Sequence, residues 1–201
     1  IRAMAEVDAV MPHLHLAVQS GSDRVLHAMR RAYTREEYLA LVGRLNAGVD
    51  GLALSTDVIV GFPGETEADF EDTLSLVREA AFSSAYTFIY SPRPGTPAAR
   101  IADDTPHEVI QERFDRLAQQ VALQARDANQ ADLNGVVSVL VEGASKKGDD
   151  VVVGPSEKNQ TVHLHLPAHE GAGNLVGKIC DVHVDEARTW YLRGTLVGDP
   201  R

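Results

Sequence analysis

The chain has 201 residues, of which 44% are hydrophobic and 24% charged, as in a soluble globular protein with one large or two small domains. No apolar run approaches the ~20 residues of a membrane span, and the first residues lack the basic-then-apolar layout of a signal peptide, so we expect a cytoplasmic protein without membrane contact. The single cysteine, Cys180, excludes an internal disulfide or a cysteine-based metal site within these residues. A net charge of −10 argues against indiscriminate nucleic-acid binding.

Strands and helices alternate along the first two thirds of the chain. The predicted strands cover residues 13–18, 52–60 and 85–91. Helix starts are predicted at Ser22 or Asp23, at Thr34, where Glu37 completes a capping box, and at Thr66. A long helix is predicted over 106–133. This order indicates parallel β-α units, yet three strands are too few for a complete α/β domain, so we expect the second half of a larger one.

After Gly135 the pattern changes to short alternating strands separated by polar turns. The five predicted strands are 136–142, 150–154, 161–167, 178–184 and 189–196. Five such strands in about 60 residues predict a small antiparallel barrel of the oligonucleotide-binding kind. All four lysines of the chain lie in this part. The sequence therefore predicts an α/β domain over 1–133 and an all-β domain over 134–198.

The carboxyl ends of parallel strands are where α/β proteins bind ligands. The predicted strand ends carry 19–22, 61–65 and 91–93. Gln19, Ser20 and Ser22 offer amide and hydroxyl groups suited to a ribose or an amino-acid moiety. At the second end, Gly61 lets a ligand approach the backbone closely. These positions predict a ligand site, although ordinary turns would use the same residue types.

Asp57 lies inside an otherwise apolar strand, where a carboxylate must be paired or must serve a ligand. Both readings stay open for Asp57. Histidines at strand spacing, at 13 and 15 and again at 163 and 165, lack a nearby third ligand, so no metal site is predicted. No G-x-S-x-G pattern supports a catalytic Ser-His-Asp arrangement, and no catalytic residue is assigned.

Basic residues cluster in two places. Four arginines, Arg24, Arg30, Arg31 and Arg35, form a positive patch beside the first strand end, which would suit a carboxylate or phosphates unless it is simply a solvated helix face. In the all-β part, Lys146 and Lys147 lie on one predicted turn and Lys158 and Asn159 on another. Basic turns and an aromatic face fit single-stranded RNA. Trp190 is assigned to the core in preference to a stacking platform.

Four segments together resemble one family. In chain order they are HLHLAVQSGSDRVLHAMRRAYTREEY, STDVIVGFPGETEADF, YSPRPGTPAA and VEGASKK, and they resemble the methylthiotransferase family of radical S-adenosylmethionine enzymes. The resemblance implies that residues 1–133 are the second half of a radical-SAM partial (β/α) barrel. It also implies that residues 134–198 are a TRAM domain, a small RNA-binding barrel.

The resemblance implies S-adenosylmethionine and two 4Fe-4S clusters as cofactors. The ligand cysteines are expected upstream of this chain, which is then an inactive C-terminal fragment. The implied cofactor-binding residues are Gln19, Ser20, Ser22, Arg31, Asp57, Ile59, Gly61 and Phe88. The implied RNA-binding residues are Arg24, Arg30, Lys146, Lys147, Lys158 and Asn159.

The implied reaction is radical methylthiolation at C2 of N6-isopentenyladenosine in the anticodon loop of tRNA. The implied partners are tRNA and an electron-donor protein, and the enzyme is expected to be a monomer. Within the family, the alternatives are threonylcarbamoyl-adenosine in tRNA and an aspartate of a ribosomal protein. From another class, the alternative is a non-catalytic RNA-binding remnant.

Overall fold

The computed structural model describes residues 1–103, 105–145, 148–166 and 174–201. They form two compact units, the first of Ile1–Glu6 and Leu14–Gln124, the second of Val7–His13 and Ala125–Arg201. This division falls within the long helix, shortly before the predicted domain boundary at residue 133. Among the described residues, no helix is both long and apolar enough to cross a lipid bilayer.

In the α/β part, the described residues form a three-stranded sheet and five α-helices. Its elements are α1 (Arg2–Glu6), β1 (His13–His15), α2 (Asp23–Ala28), α3 (Arg35–Gly48), β2 (Ala53–Val60), α4 (Glu67–Ala80), β3 (Ser84–Ile89), a 3-10 turn (Ala98–Arg100) and α5 (His107–Gln130). The sheet order is β1-β2-β3, and β2 pairs with β3 in parallel. The predicted parallel β-α arrangement is confirmed for this part.

The helix starts follow the capping signals in the sequence. The Ser22 side chain accepts a hydrogen bond from the backbone of Val25 at the start of α2. Thr34 and Thr66 cap α3 and α4 with complete capping boxes. In each, the threonine side chain accepts a hydrogen bond from the amide of the third helical residue, whose own side chain accepts one from the threonine amide. Such caps satisfy backbone amides that have no partner within the helix.

The two faces of the sheet differ in burial. Val58 and Val60 point into a core built with side chains of α3, α4 and α5, and both are fully buried. Asp57 and Ile59 alternate with them and lie on the opposite face. On that face Tyr86 and Phe88 of β3 are 56% and 50% exposed. The sheet therefore has one packed face and one open face.

The described residues of the all-β part form six strands where five were predicted. They are β4 (Val136–Leu140), β5 (Gly143–Ser145), β6 (Gly148–Pro155), β7 (Thr161–His165), β8 (Ile179–Ala187) and β9 (Leu192–Val197). The additional strand, β5, has only three residues and lies in a segment assigned to a turn. The sheet order is β4-β8-β9-β7-β6-β5.

The prediction of a wholly antiparallel sheet is wrong in one pairing. Strands β7 and β9 run parallel, with Val162 opposite Leu192, while the other pairings are antiparallel. These two strands are separated in sequence by β8, which returns the chain to its starting direction. Strand alternation in a sequence reveals the strands but not which of them become neighbours.

The six-stranded sheet curls around its own core. Strand β4 pairs with β8, and its other edge meets the end of β6 through a bridge between Val139 and Ser156. The amide of Glu142 also donates to the Val153 carbonyl over 3.0 Å. Side chains such as Val139 and Cys180 fill the interior and are fully buried.

Candidate functional site

A cavity of about 670 Å³ lies at the carboxyl ends of the parallel strands in the first unit. Its wall is formed by the turn after α2, the ends of β2 and β3, and the loop that follows β3. Volumes of this size are typical of sites for small molecules and cofactors.

Five of the eight predicted cofactor-binding residues line this cavity. They are Gln19, Arg31, Asp57, Ile59 and Phe88. The strand register explains part of the set, because Ile59 pairs with Phe88 and both lie on the open face of the sheet. Asp57 lies two residues earlier on the same face, so period-2 alternation brings it to the same wall.

Gln19 adopts a backbone conformation that is unusual for its residue type. Its φ is 70°, in the left-handed region, and only 8% of the residue is exposed. The sheet holds it there, since its amide donates to the Asp57 carbonyl over 2.8 Å and its carbonyl accepts from the Ile59 amide over 2.9 Å. A non-glycine residue kept in this region is a recognised mark of functional sites.

Ser20 and Ser22 do not line the cavity. Both are buried, at 0% and 2% exposure, against the first turns of α4. The Ser20 hydroxyl lies 3.2 Å from the Thr73 hydroxyl, and the Ser22 hydroxyl donates to Asp69 over 2.6 Å. Between them, a Cβ on Gly21 would lie 2.5 Å from the Asp72 carbonyl oxygen, so the loop packs too closely for any side chain. The structure uses these serines to fix the loop that presents Gln19.

Gly61 also lies outside the cavity wall. Its need for glycine is explained by its positive φ and by the close approach of α5. Its φ is 73°, and a Cβ there would meet Ile110 at 2.7 Å. Its amide donates to the buried Glu65 carboxylate over 3.3 Å. Arg113 of α5 donates to the Glu65 backbone carbonyl over 3.1 Å and forms an ion pair with its carboxylate. Burial raises the pKa of Glu65 to about 6, because the Gly61 amide and Arg113 offset the loss of hydration only in part.

A second buried carboxylate, Asp69, joins the loop after β1 to the start of α4. It accepts hydrogen bonds from the Ser22 hydroxyl, from Arg24 and from the Thr66 amide. Burial opposes its ionisation, but the bonds from Arg24, Ser22 and Thr66 outweigh this and hold the pKa of Asp69 well below its usual range.

Asp57 has a partner on the open face of the sheet. Its carboxylate lies 3.5 Å from Nε2 of His15, whose Nδ1 lies 3.0 Å from the Ser55 hydroxyl. The His15 ring also contacts Tyr86, with ring centroids 6.0 Å apart. The pairing with His15 and the position in the cavity wall coexist, so both sequence interpretations of Asp57 hold in part.

The arginines of the predicted positive patch divide into two groups. Arg24 is paired with Asp69 and Arg35 with Glu79. Arg30 and Arg31 line the cavity, are exposed, and form no ion pair with any described residue. Only the second pair is therefore available to a ligand without breaking an existing contact.

Two cavity residues were not among the individually assigned site residues. Arg93 follows β3 by four residues, within a predicted strand end, and it is exposed at the cavity. Tyr90 contacts Phe62 edge-on, with ring centroids 5.2 Å apart, and its buried hydroxyl has no hydrogen-bond partner among the described residues. Their place after a strand was the available signal, but no spacing rule distinguishes them from ordinary loop residues.

The predicted RNA-binding residues of the second unit are only partly described. Lys146 and Lys147 lie outside the described residues. Lys158 donates to the Asp132 carboxylate over 2.6 Å, and Asn159 takes a left-handed turn conformation with φ of 61°. Trp190 is 60% exposed, so its assignment to the core is wrong.

The loop that carries Trp190 is held by the C-terminal turn of α5. Asn129 donates to the carbonyls of Arg188 and Thr189 over 2.7 and 3.2 Å. The Arg188 amide donates to the Tyr191 carbonyl over 2.9 Å across the loop.

Within the described part of the chain, no three His, Cys, Asp or Glu side chains form a group that could bind a metal ion.

Comparison with known proteins gives a match to one superfamily model over part of the chain. Residues 1–77 match the model of the Radical SAM superfamily. A solved structure of coproporphyrinogen III oxidase (HemN) from Escherichia coli, described as a radical SAM enzyme, has a TM-score of 0.47 and 15% identity, over 87% of this chain and 41% of that one.

Particular relatives match over nearly the whole chain. It is 46% identical to the tRNA-2-methylthio-N(6)-dimethylallyladenosine synthase of Alkaliphilus oremlandii, over 98% of this chain and 41% of the relative. For the synthases of the same name from Geobacillus kaustophilus and Burkholderia thailandensis, identity is 48% and 47%. The resemblance seen in the sequence is thereby confirmed: this chain is homologous to a segment of these synthases. It spans about two fifths of their length.

Proposed function

We propose that this chain is the C-terminal part of a tRNA methylthiotransferase, in which the cavity binds S-adenosylmethionine and the all-β unit binds tRNA. The observation that carries the proposal is the cavity at the strand ends, which brings together five residues assigned to the cofactor from the family resemblance. The names of the relatives support the same reaction. Because the chain covers only part of their length, the complete reaction belongs to a longer protein.

The lining of the cavity supports the assignment to S-adenosylmethionine. Ile59 and Phe88 supply apolar surface for an adenine ring, and Gln19 and Asp57 supply polar groups for a ribose or the methionyl amine. Arg31 provides a guanidinium for the carboxylate. These five side chains come from three elements of the sheet and one helix end, so the folded sheet preorganises them.

The hydroxyl of Tyr90 is buried and has no hydrogen-bond partner among the described residues, which is unfavourable by about 1–3 kcal/mol. Ser20, Ser22 and Gly61 then act indirectly, by holding the loops on which the contacting residues stand.

The clusters need ligands that this chain does not contain, since its one cysteine, Cys180, is buried in β8. S-adenosylmethionine bound beside a reduced 4Fe-4S cluster supplies the radical chemistry that activates a C–H bond. The residues of this chain would bind and orient the cofactor and exclude water from it. Two clusters, an electron-donor protein, a monomeric state and a cytoplasmic location stay predictions of the resemblance.

The curled six-stranded sheet supports the proposal of a TRAM-type RNA-binding domain. Strands β4 and β5 follow one another and both meet β6, so together they resemble one bent strand of a five-stranded barrel. The exposed Trp190 offers a flat surface on which a base can stack. Lys146, Lys147, Lys158 and Asn159 remain the proposed contacts on its turns, together with Arg24 and Arg30 of the first unit; Arg24 and Lys158 would have to exchange their present ion-pair partners.

The proposed substrate is N6-isopentenyladenosine in the anticodon loop, modified at C2. The relatives are named for a dimethylallyladenosine product, which favours this base over threonylcarbamoyl-adenosine and over a ribosomal-protein aspartate. Their match over nearly the whole chain also favours an enzyme over a non-catalytic RNA-binding remnant.

The test uses the longer protein that contains this chain, reconstituted anaerobically with iron and sulfide. Supplied with S-adenosylmethionine, a reductant and tRNA bearing isopentenyladenosine, it should yield the methylthio nucleoside, detected by mass spectrometry after digestion. Ile59→Ala should weaken S-adenosylmethionine binding about 5–10-fold through lost apolar contact. Ile101→Ala, an exposed position outside the cavity, is the matched control. A protein without cofactor affinity, or equal affinity in the Ile59 variant and the wild type, would contradict the assignment.

A further inference from the structure

The cavity is positively charged although the chain is acidic. The protein carries a net charge of −10, yet three arginines and one carboxylate, Asp57, line the cavity. The arginines are Arg30, Arg31 and Arg93. None of the three forms an ion pair with a described residue, whereas Arg24, Arg35, Arg113 and Arg116 of the same unit are all paired. The charge excess at the cavity is therefore not consumed within the fold.

The backbone fixes where two of these arginines stand. Arg30 has a φ of 58°, in the left-handed region, and its amide donates to the His27 carbonyl over 2.9 Å as the chain leaves α2. Arg93 begins a tight turn in which its carbonyl accepts from the Thr96 hydroxyl over 2.8 Å and from the Thr96 amide over 3.2 Å. The left-handed residue closes α2, since the Arg30 and Arg31 amides donate to the His27 and Leu26 carbonyls as in a Schellman motif. Both turns place their arginines in the cavity wall.

We propose that Arg93, together with Arg30, forms a phosphate-binding site at the cavity through which the protein holds the backbone of the RNA strand carrying the target base. This proposal rests on the proposed function and extends it to a residue without an assigned role. Arg31 remains the partner for the single carboxylate of the cofactor, which leaves two guanidinium groups for another anion.

The chemistry of the ligand follows from the groups available. A guanidinium is always charged and matches the paired oxygens of a phosphodiester with two parallel hydrogen bonds. Phosphates occur on both sides of every internal nucleotide, so two exposed arginines can bind the strand next to one base. Contacts of this kind position the strand without reading its sequence. The site would thus place the reacting base at the cofactor, independently of the RNA contacts made by the all-β unit.

The experiment uses the longer, reconstituted protein with an anticodon stem-loop RNA and measures the dissociation constant at several salt concentrations. Arg93→Ala should weaken RNA binding about 5–20-fold at low salt and reduce the slope of log K against log salt by about one, as loss of one phosphate contact predicts. Arg30→Ala should act similarly, and the double variant should lose about two units of slope. Arg100→Ala, an exposed arginine outside the cavity wall and without an ion pair among described residues, is the control and should match the wild type.

A second readout separates this proposal from the proposed function. Affinity for S-adenosylmethionine without RNA should stay within about twofold of the wild type in Arg93→Ala, because a phosphate contact does not form until RNA binds. Unchanged RNA affinity and slope in that variant, or weaker cofactor binding with normal RNA affinity, would overturn the phosphate site and leave the proposed function standing. A wild-type protein that binds neither RNA nor cofactor would overturn both.

Discussion

Two groups of charged side chains in the α/β unit differ in what they contact. Beside the loop after β1 and the turn after β2, Asp69 and Glu65 are buried and paired with Arg24 and Arg113. Around the cavity, Arg30, Arg31 and Arg93 are exposed and form no ion pair with any described residue. The paired groups shape the loops, and the unpaired ones could meet a ligand without losing an existing contact. Sequence position alone does not separate the two groups, because Arg24 and Arg30 belong to the same cluster of arginines.

The largest expected effect is at Asp69, the carboxylate with the most partners. Asp69→Ala removes the acceptor of the Ser22 hydroxyl, of Arg24 and of the Thr66 amide. These donors then face the empty space that the carboxylate occupied. We expect a loss of stability of about 2 kcal/mol, because the buried Ser22 hydroxyl and the Thr66 amide lose their acceptor, whereas the half-exposed Arg24 can be hydrated. Urea unfolding measures it.

Asp72→Ala is the control for that change, since Asp72 lies on the same helix and its side chain is exposed. It should shift stability by about 0.5 kcal/mol or less. Equal effects of the two substitutions would show that the paired network does not stabilise the loop, and would remove the distinction between the two groups of charges.

A similar effect, with a defined pH dependence, is expected at Glu65. Its pKa in the folded protein, about 6, lies above the ordinary value of 4.5, so folding favours the protonated form. The contribution of Glu65 is most favourable below pH 4.5 and is lost as pH rises through 6. Glu65→Gln does not titrate, so its stability relative to wild type should increase by about 2 kcal/mol between pH 4.5 and 7.5.

Urea unfolding of both proteins across that pH range measures the Glu65 term. Arg113 keeps its bond to Glu67 in the variant, over 2.9 Å, which limits other changes. A stability difference that does not vary with pH would mean that Glu65 is ionised as readily as an exposed carboxyl. Glu65 would then titrate like a solvent-exposed group, and the distinction between paired and unpaired charges would not hold for it.

The smallest expected effect on stability, with a clear effect on binding, is at Trp190. Like the unpaired arginines, this side chain is exposed on a loop held by hydrogen bonds, here from Asn129. Trp190→Ala should weaken binding of single-stranded RNA by about 5–10-fold through lost stacking, with little change in unfolding free energy. Trp190→Tyr should retain most of the affinity. An alanine variant that binds RNA normally but melts earlier would make Trp190 a structural residue.

Local signals in the sequence predicted the elements of the fold well. The capping box at Thr34, the helix start at Thr66 and the apolar strand over 52–60 depend on neighbours within a few residues, and all three are confirmed. The parallel pairing of β7 with β9 depends on the path of the whole chain, and the sequence pattern does not contain it. Trp190 was misassigned because apolar character predicts burial only on average.

The candidate site was predicted only in part, because the sequence shows backbone periodicity but not long-range contacts. Period-2 alternation places Asp57 and Ile59 on one face, and the structure brings them to the cavity. Ser20 and Ser22 have the right chemistry and lie next to Gln19, yet they point into α4. Which way a loop side chain points depends on contacts across more than 40 residues of sequence, such as those to Asp69 and Thr73.

The left-handed backbone at Gln19 sets a trade-off between folding and binding at this one position. Glycine would adopt the same conformation without the strain of about 1 kcal/mol that a side chain introduces there. It would, however, remove the only side chain that the loop after β1 offers to the cavity. Selection for thermal stability alone would therefore favour glycine at this position. The resulting protein would be more stable but would lack one side chain of the cavity wall.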